Sequence, residues 1–195
     1  MGSAFCYHLR VMSARVESLA APLPRSFFAR DARVVARALI GTRLVVETNG
    51  CVRVGRIVET EAYRGPKDAA CHARVGLTSR TRVLFGPPAH AYVFLIYGMY
   101  DCFNVVAHRD GGGHAVLVRA VEPISGITEK TRTDGPGRLT RALGITRAHH
   151  GLDVTASNVR ILPRAENEKR PRIAVSARVG VGYAGEIAEA PWRFY

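Results

Sequence analysis

The stretch TRLVVETNGCVRVGRIVETEAYR, residues 42–64, decides the fold. Two runs rich in β-branched residues, TRLVVET and CVRVGRIVETEAY, are separated by Asn49-Gly50, a dipeptide suited to the positive φ angles of a tight hairpin turn. An antiparallel strand pair is expected, with Gly65-Pro66 ending the second strand. Glu59 and Glu61 stand two residues apart, so both carboxylates and Tyr63 should point to one side of that strand. A fold rarely needs two like charges there.

Working outward, Asp31 can cap a helix whose apolar Val34, Val35, Ala38 and Leu39 share a face, with Gly41 as the stop. Residues 64–90 show little periodicity and read as a long ordered loop, with a short helical turn near DAACHA. HAYVFLIYGMYDCFNVVAH, residues 90–108, predicts a hairpin that turns near Gly98 and carries Tyr97, Met99 and Tyr100 at its tip. HAVLVRAVEP is a further strand. GPGRLTRALGI is a short helix with Leu139, Ala142 and Leu143 inward and Gly144 ending it. The remainder suits short strands, and the lone GVG at 180–182 lacks the spacing of a dinucleotide fingerprint. No repeat or linker divides the chain. The expected architecture is α+β, a single mixed domain over residues 23–195 with a mostly antiparallel curved sheet, flanking helices and a protruding β-hairpin. Residues 1–22 are expected to be a disordered extension, with Met12 as an alternative start.

The chain has 195 residues and a formal net charge of +12, from 28 Lys plus Arg against 16 acidic residues. Only Lys67, Lys130 and Lys169 are lysines, so the positive charge is nearly all Arg, the side chain best shaped for bidentate phosphate contact. A polyanionic partner is expected, although basic chains also arise from compositional bias. The four cysteines lack zinc-site spacing and scaffold density, and read as reduced thiols in a cytoplasm. No apolar run reaches the roughly 18 residues of a membrane-spanning helix. Adjacent His149 and His150 cannot easily converge on one ion, and Cys71-His72 has no second close pair, so no metal is expected.

Three constellations could carry chemistry. Glu59, Glu61, Tyr63 and His72, where a strand enters a loop, could activate water, or could be a solvated strand end. The hairpin tip could be a wedge entering stacked bases, or part of a core hairpin. Arg119 interrupts an apolar strand and by alternation shares a face with Leu117 and Val121. It either pairs with a carboxylate such as Glu122 or Asp101, or is aimed at Glu61.

Taken together, LPRSFFARD, GRIVETEAYRGPKDAACHARVGLTSRTRVLFGPPAHAYVFLIYGMYDCFNVV, VLVRAVEP, GPGRLTRALGI and PWRFY resemble the alkyladenine (3-methyladenine) DNA glycosylase family, from about residue 23 to the C terminus. The resemblance implies a monofunctional glycosylase of base excision repair, without lyase activity or cofactor. Such an enzyme removes flipped-out alkylated or deaminated purines (3-methyladenine, hypoxanthine, ethenoadenine) from double-stranded DNA. It implies Glu61 as the water-activating base, with Arg119 beside it and Glu59 as a structural neighbour. Tyr63, Ala70, His72, Phe94, Asn104 and Leu117 would form the base pocket. Tyr97 would intercalate where the base leaves, and Met99, Arg80 and Arg82 would contact DNA. A cytoplasmic monomer is expected. The chain departs from the family's pattern at Phe94, where many members have Tyr, at Lys67, where relatives often have an acidic residue, and at its end, where many continue and cover the last strand further. Two other classes stay open: a nucleic-acid-binding module of the same fold without catalysis, and a hydrolase of smaller nucleosides.

Overall fold

The computed structural model describes residues 21–109 and 111–195. The expected N-terminal extension, with Cys6 and Met12, lies outside them apart from residues 21 and 22. The described residues form an eight-stranded antiparallel sheet with helices against one face. In chain order these are α1 (Arg25–Phe28), α2 (Ala32–Leu39), β1 (Arg43–Thr48), β2 (Cys51–Arg64), β3 (Ala91–Ile96), β4 (Tyr100–Ala107), β5 (His114–Ser125), α3 (Pro136–Leu143), β6 (Val159–Leu162), β7 (Val175–Ser176) and β8 (Arg193–Phe194). The main path runs β3-β4-β5-β2-β1-β6, and β8 bridges β2 and β7. The sheet is curled, and β2 is longer than its neighbours. Its first half pairs with β1, and at Thr60 and Glu61 that place is taken by β8. The last strand is therefore flanked on both sides.

The hairpin at Asn49-Gly50 forms as expected, both residues having positive φ. Side-chain alternation then sorts the sheet into two faces. Val93, Phe103, Val105, Val116 and Val118 point into the main core with Leu39, Leu139 and Leu143. Each such fully buried side chain contributes roughly 1.5–3 kcal/mol. Their chain neighbours Tyr92, Phe94, Cys102, Asn104, Ala115 and Leu117 line a cavity on the opposite face.

Strict alternation fails near the site, beyond a further register shift at Val54/Gly55. The β2–β5 register shifts between Ile57 and Glu59 and again between Glu59 and Thr60, which leaves Val58 and Arg119 as the extra residues of two facing bulges. Ile57 and Val121 therefore point into the core although each lies three residues from a core-facing partner, Thr60 and Val118. The expectation that Val121 shares the face of Arg119 is thus corrected. Bulges re-aim side chains, and this pair turns Val121 into the core while Arg119 stays on the cavity face with Leu117.

Two helix faces also differ from expectation. Asp31 does cap α2, accepting the Arg33 N–H, but the buried face is Ala32, Val35, Ala36 and Leu39, and Val34 is exposed. The true face follows the i, i+3, i+4, i+7 rule one position earlier. In α3 the buried residues are Leu139, Thr140 and Leu143, whereas Ala142 is half-buried. Thr140 is admitted because its hydroxyl donates to the Asp101 and Gly137 carbonyls, which ties the helix to β4. A Cβ on Gly137 would come within 2.7 Å of Tyr100 Cβ, so the glycine allows α3 to lie directly against the start of β4, beside the hairpin turn.

Candidate active site

The cavity has a volume of about 460 Å³ and lies between the curled sheet, the 65–85 loop and the 179–183 segment. That size suits a small organic ligand such as a single nucleobase with its sugar. The long loop is ordered by three short 3-10 turns, at Gly65–Lys67, His72–Val75 and Arg82–Phe85, and by reciprocal hydrogen bonds between Thr78 and Thr81.

Behind the cavity wall Glu61 is completely buried on β2, between Leu117 of β5 and Arg193 of β8. A buried carboxylate must be compensated. Tyr63 donates its hydroxyl to Glu61 Oε2 at 2.9 Å, the Val179 N–H donates to Oε1 at 2.7 Å, and Arg119 Nη1 lies 3.3 Å from Oε1. Tyr63, Val179 and Arg119 all line the cavity, so Glu61 is one hydrogen bond behind its surface. Arg119 bonds more closely to Glu59, Nε to Oε1 at 2.7 Å, and Arg193 reaches the same oxygen at 2.7 Å. Charges thus alternate along Arg193, Glu59, Arg119 and Glu61. The other carboxylates considered for Arg119 are occupied elsewhere, Glu122 by Arg56 and Asp101 by Arg147.

On the wall, Tyr63, Phe94 and His72 present their rings, with Ala70, Asn104 and Leu117 between them. Burial and the adjacent Glu61 push the Tyr63 hydroxyl well above its ordinary value, so it stays a donor. His72 Nδ1 is 2.9 Å from the Tyr92 hydroxyl, and the ring meets Phe94 edge-on at 4.4 Å. Burial, and then Arg80 and Arg74, lower its pKa from 6.5 to about 4, so His72 is neutral at physiological pH. Asn104 donates to the Tyr92 carbonyl at 3.1 Å, which fixes its amide in the wall. The thiols of Cys71 and Cys102 also line the cavity, and burial pushes both up to about 11, so neither offers a thiolate.

At the mouth the β3–β4 hairpin carries Tyr97 at 81% and Met99 at 67% exposure. Arg82 is exposed and away from the cavity lining, whereas Arg80 folds back against His72 and its guanidinium lies 5.6 Å from the Phe94 ring centre. Arg80 is therefore packed on the pocket wall, not only held out towards solvent as a DNA-contact reading alone implies. Lys67, Lys130 and Lys169 are exposed, and none lines the cavity. Among the described residues no group of three or more His, Cys, Asp or Glu is placed to hold a metal, and no helix is long and apolar enough to cross a membrane.

A sequence profile described as methylpurine-DNA glycosylase matches residues 26–195. The chain belongs to that family. Curated relatives agree. One from Myxococcus xanthus is 57% identical over 175 residues, 89% of both chains. One from Methanocella arvoryzae is 48% identical over 184 residues, covering 89% of this chain and 91% of its own. A third, from Bacillus cereus, is 43% identical over 192 residues, covering 88% and 94%. All three carry the name "Putative 3-methyladenine DNA glycosylase".

Several residues of this methylpurine-DNA glycosylase fold were not singled out in its sequence. Tyr92 buttresses His72 and Asn104, as the alternation of the hairpin arm could have suggested. Arg178 is completely buried, gripping Asp68 through two nitrogens at 2.6 and 3.0 Å and donating to the Ala62 carbonyl. Its guanidinium lies 4.8 Å from the Tyr63 ring centre, on which it can exert a cation–π attraction. Asp68 in turn accepts the N–H groups of Arg64 and Ala70. This one ion pair joins the end of β2, the pocket loop and the segment that supplies Val179. No local sequence signal joins residues 110 positions apart.

Proposed function

We propose that the protein hydrolyses the N-glycosidic bond of damaged purines flipped out of duplex DNA, with Glu61 as the base that activates water. The observation that carries this reading is the buried Glu61 carboxylate, hydrogen-bonded to Tyr63 and the Val179 N–H and ion-paired with Arg119, three groups that themselves line a cavity walled by Tyr63, His72 and Phe94. Cleavage of the C–N bond develops oxocarbenium character on the sugar, which an ionised carboxylate stabilises while accepting a proton from the attacking water. Arg119 and the Val179 N–H hold the Glu61 carboxylate in position at the cavity wall.

Extrusion of the base costs a few kcal/mol, least for a damaged or poorly paired one. Stacking between Tyr63 and Phe94 returns roughly 1–3 kcal/mol. Neutral His72 can hydrogen-bond an uncharged purine without repelling a cationic one, and Asn104 stands where an exocyclic amino group of guanine would be resisted. Tyr97 fills the gap in the duplex. 3-Methyladenine, hypoxanthine and ethenoadenine are the candidate bases. A lyase step needs an amine nucleophile, and with all three lysines outside the cavity a monofunctional enzyme is the reading supported.

The test is incubation with duplexes carrying one ethenoadenine or hypoxanthine, scored for alkali-labile abasic sites, with wild type beside Glu61→Gln. Turnover by wild type and at least about a hundredfold loss in the variant are expected. Equal turnover overturns the role of Glu61. Binding without turnover by wild type points to a non-catalytic DNA-binding module.

A further inference from the structure

The segment Val179–Tyr183 supplies one side of the cavity, opposite the hairpin, and contains a glycine that the chain itself does not require. Gly182 has an ordinary φ, and a Cβ built on it meets nothing within 4 Å. Among the described residues, neither backbone conformation nor packing calls for glycine there. Glycine is also used where a ligand approaches the backbone closely, and that reason remains. Its neighbour Tyr183 lines the cavity, yet 68% of it is exposed, a large aromatic surface left in water. The ring is not loose, because its hydroxyl donates to the Ala70 carbonyl at 3.5 Å and so bridges the segment to the pocket loop.

We infer that Gly182 and Tyr183 form a second DNA-contacting element, against which the sugar–phosphate backbone of the damaged strand lies on the side of the flipped nucleotide away from Tyr97. The inference rests on the reading of the cavity as the base site. The partner is fixed by the family's DNA substrate and by charge, since the exposed Arg74, Arg80, Arg82 and Arg138 belong to the elements around the same cavity. Glu186 and Glu189, exposed further along the segment, bound the contact and direct a phosphate track away from that end. Backbone at Gly182 approaches the strand by van der Waals contact, and the Tyr183 ring packs on sugar or on the adjoining base face.

The experiment measures affinity for a duplex containing a tetrahydrofuran abasic analogue, which cannot be cleaved, together with melting temperature. Gly182→Ala and Gly182→Leu are expected to fold with melting temperatures no lower than wild type, and to bind about fivefold and more than tenfold more weakly. Tyr183→Ala should bind roughly tenfold more weakly, Tyr183→Phe within about twofold of wild type, and the salt dependence of binding should keep its slope because no charge is removed. Wild-type affinity in Gly182→Leu overturns the inference whatever Tyr183→Ala does. Failure of the wild-type protein to excise any damaged purine instead overturns the reading of the site, and the affinity ratios among variants still decide the contact.

Discussion

Tyr63 donates its hydroxyl to Glu61 across 2.9 Å, two residues along the same strand, so one side chain serves both as cavity wall and as hydrogen-bond donor to the buried carboxylate. Tyr63→Phe keeps the ring and removes the bond. A hydrogen bond to a buried charged group is worth about 1.5–3 kcal/mol, so unfolding free energy should drop by that order. Single-turnover excision should fall roughly tenfold or more, while affinity for an abasic-analogue duplex stays near wild type. Loss of affinity without loss of rate contradicts this division of roles.

Arg178 and Asp68 are both buried and bond through two contacts. Removing one partner leaves an uncompensated charge, and Arg178→Met should destabilise the protein by about 3–5 kcal/mol in denaturant unfolding. Combining it with Asp68→Asn should recover part of the loss, giving a coupling energy of about 1–3 kcal/mol. Additive effects show that the pair is not what joins the three segments.

Acid should destabilise the fold through two histidines. Burial, then Arg80 and Arg74, lower the His72 pKa to about 4, and burial, then His108, do the same for His114. Between about pH 6.5 and 4 the unfolded chain therefore binds protons that the folded chain refuses. Stability falls as pH falls through that window, by at most about 1.4 kcal/mol per pH unit for each ring and less where solvent screens it. His72→Gln and His114→Gln should each flatten the melting-temperature profile between pH 6.5 and 4.5, and unchanged profiles refute the assignment.

Tyr97 holds φ at +53° at the exposed hairpin tip, an unfavourable conformation for a side chain that packs on little. Tyr97→Gly relieves this, so its melting temperature should be equal to or above that of wild type. On the proposed reading of Tyr97 as the intercalating side chain, affinity for a damaged duplex should nevertheless drop about tenfold. A variant that is less stable but binds as well assigns Tyr97 to the fold instead.

Much of the architecture was legible in local pattern. Asn49-Gly50 set the first hairpin, Gly98 the second, and the alternation of Phe103 and Val105 with Cys102 and Asn104 separated core from cavity. Helix faces were less secure, since Val34 and Val35 are both apolar and only packing decides which is buried. Val121 shows the limit most plainly. Strict alternation placed Arg119 with Leu117 and Val121; it stays with Leu117 on the cavity face, beside Glu59 and Glu61, whereas two facing bulges that depend on the pairing of β2 with β5 turn Val121 into the core.

The sequence by itself determined the sheet's hairpins, the basic surface and the residue types at the site, because turn chemistry, charge and period-two patterning act over a few neighbouring positions. It also carried the family membership, through motifs whose order along the chain is recognisable. Only the tertiary structure decided that Glu61 lies completely buried one bond behind a cavity, that Val179 supplies it with an N–H, and that Arg178 ties Asp68 to the back of Tyr63. Those contacts join residues more than 100 positions apart, and their energy depends on exclusion of water, a property of the packed molecule that no local stretch of sequence possesses.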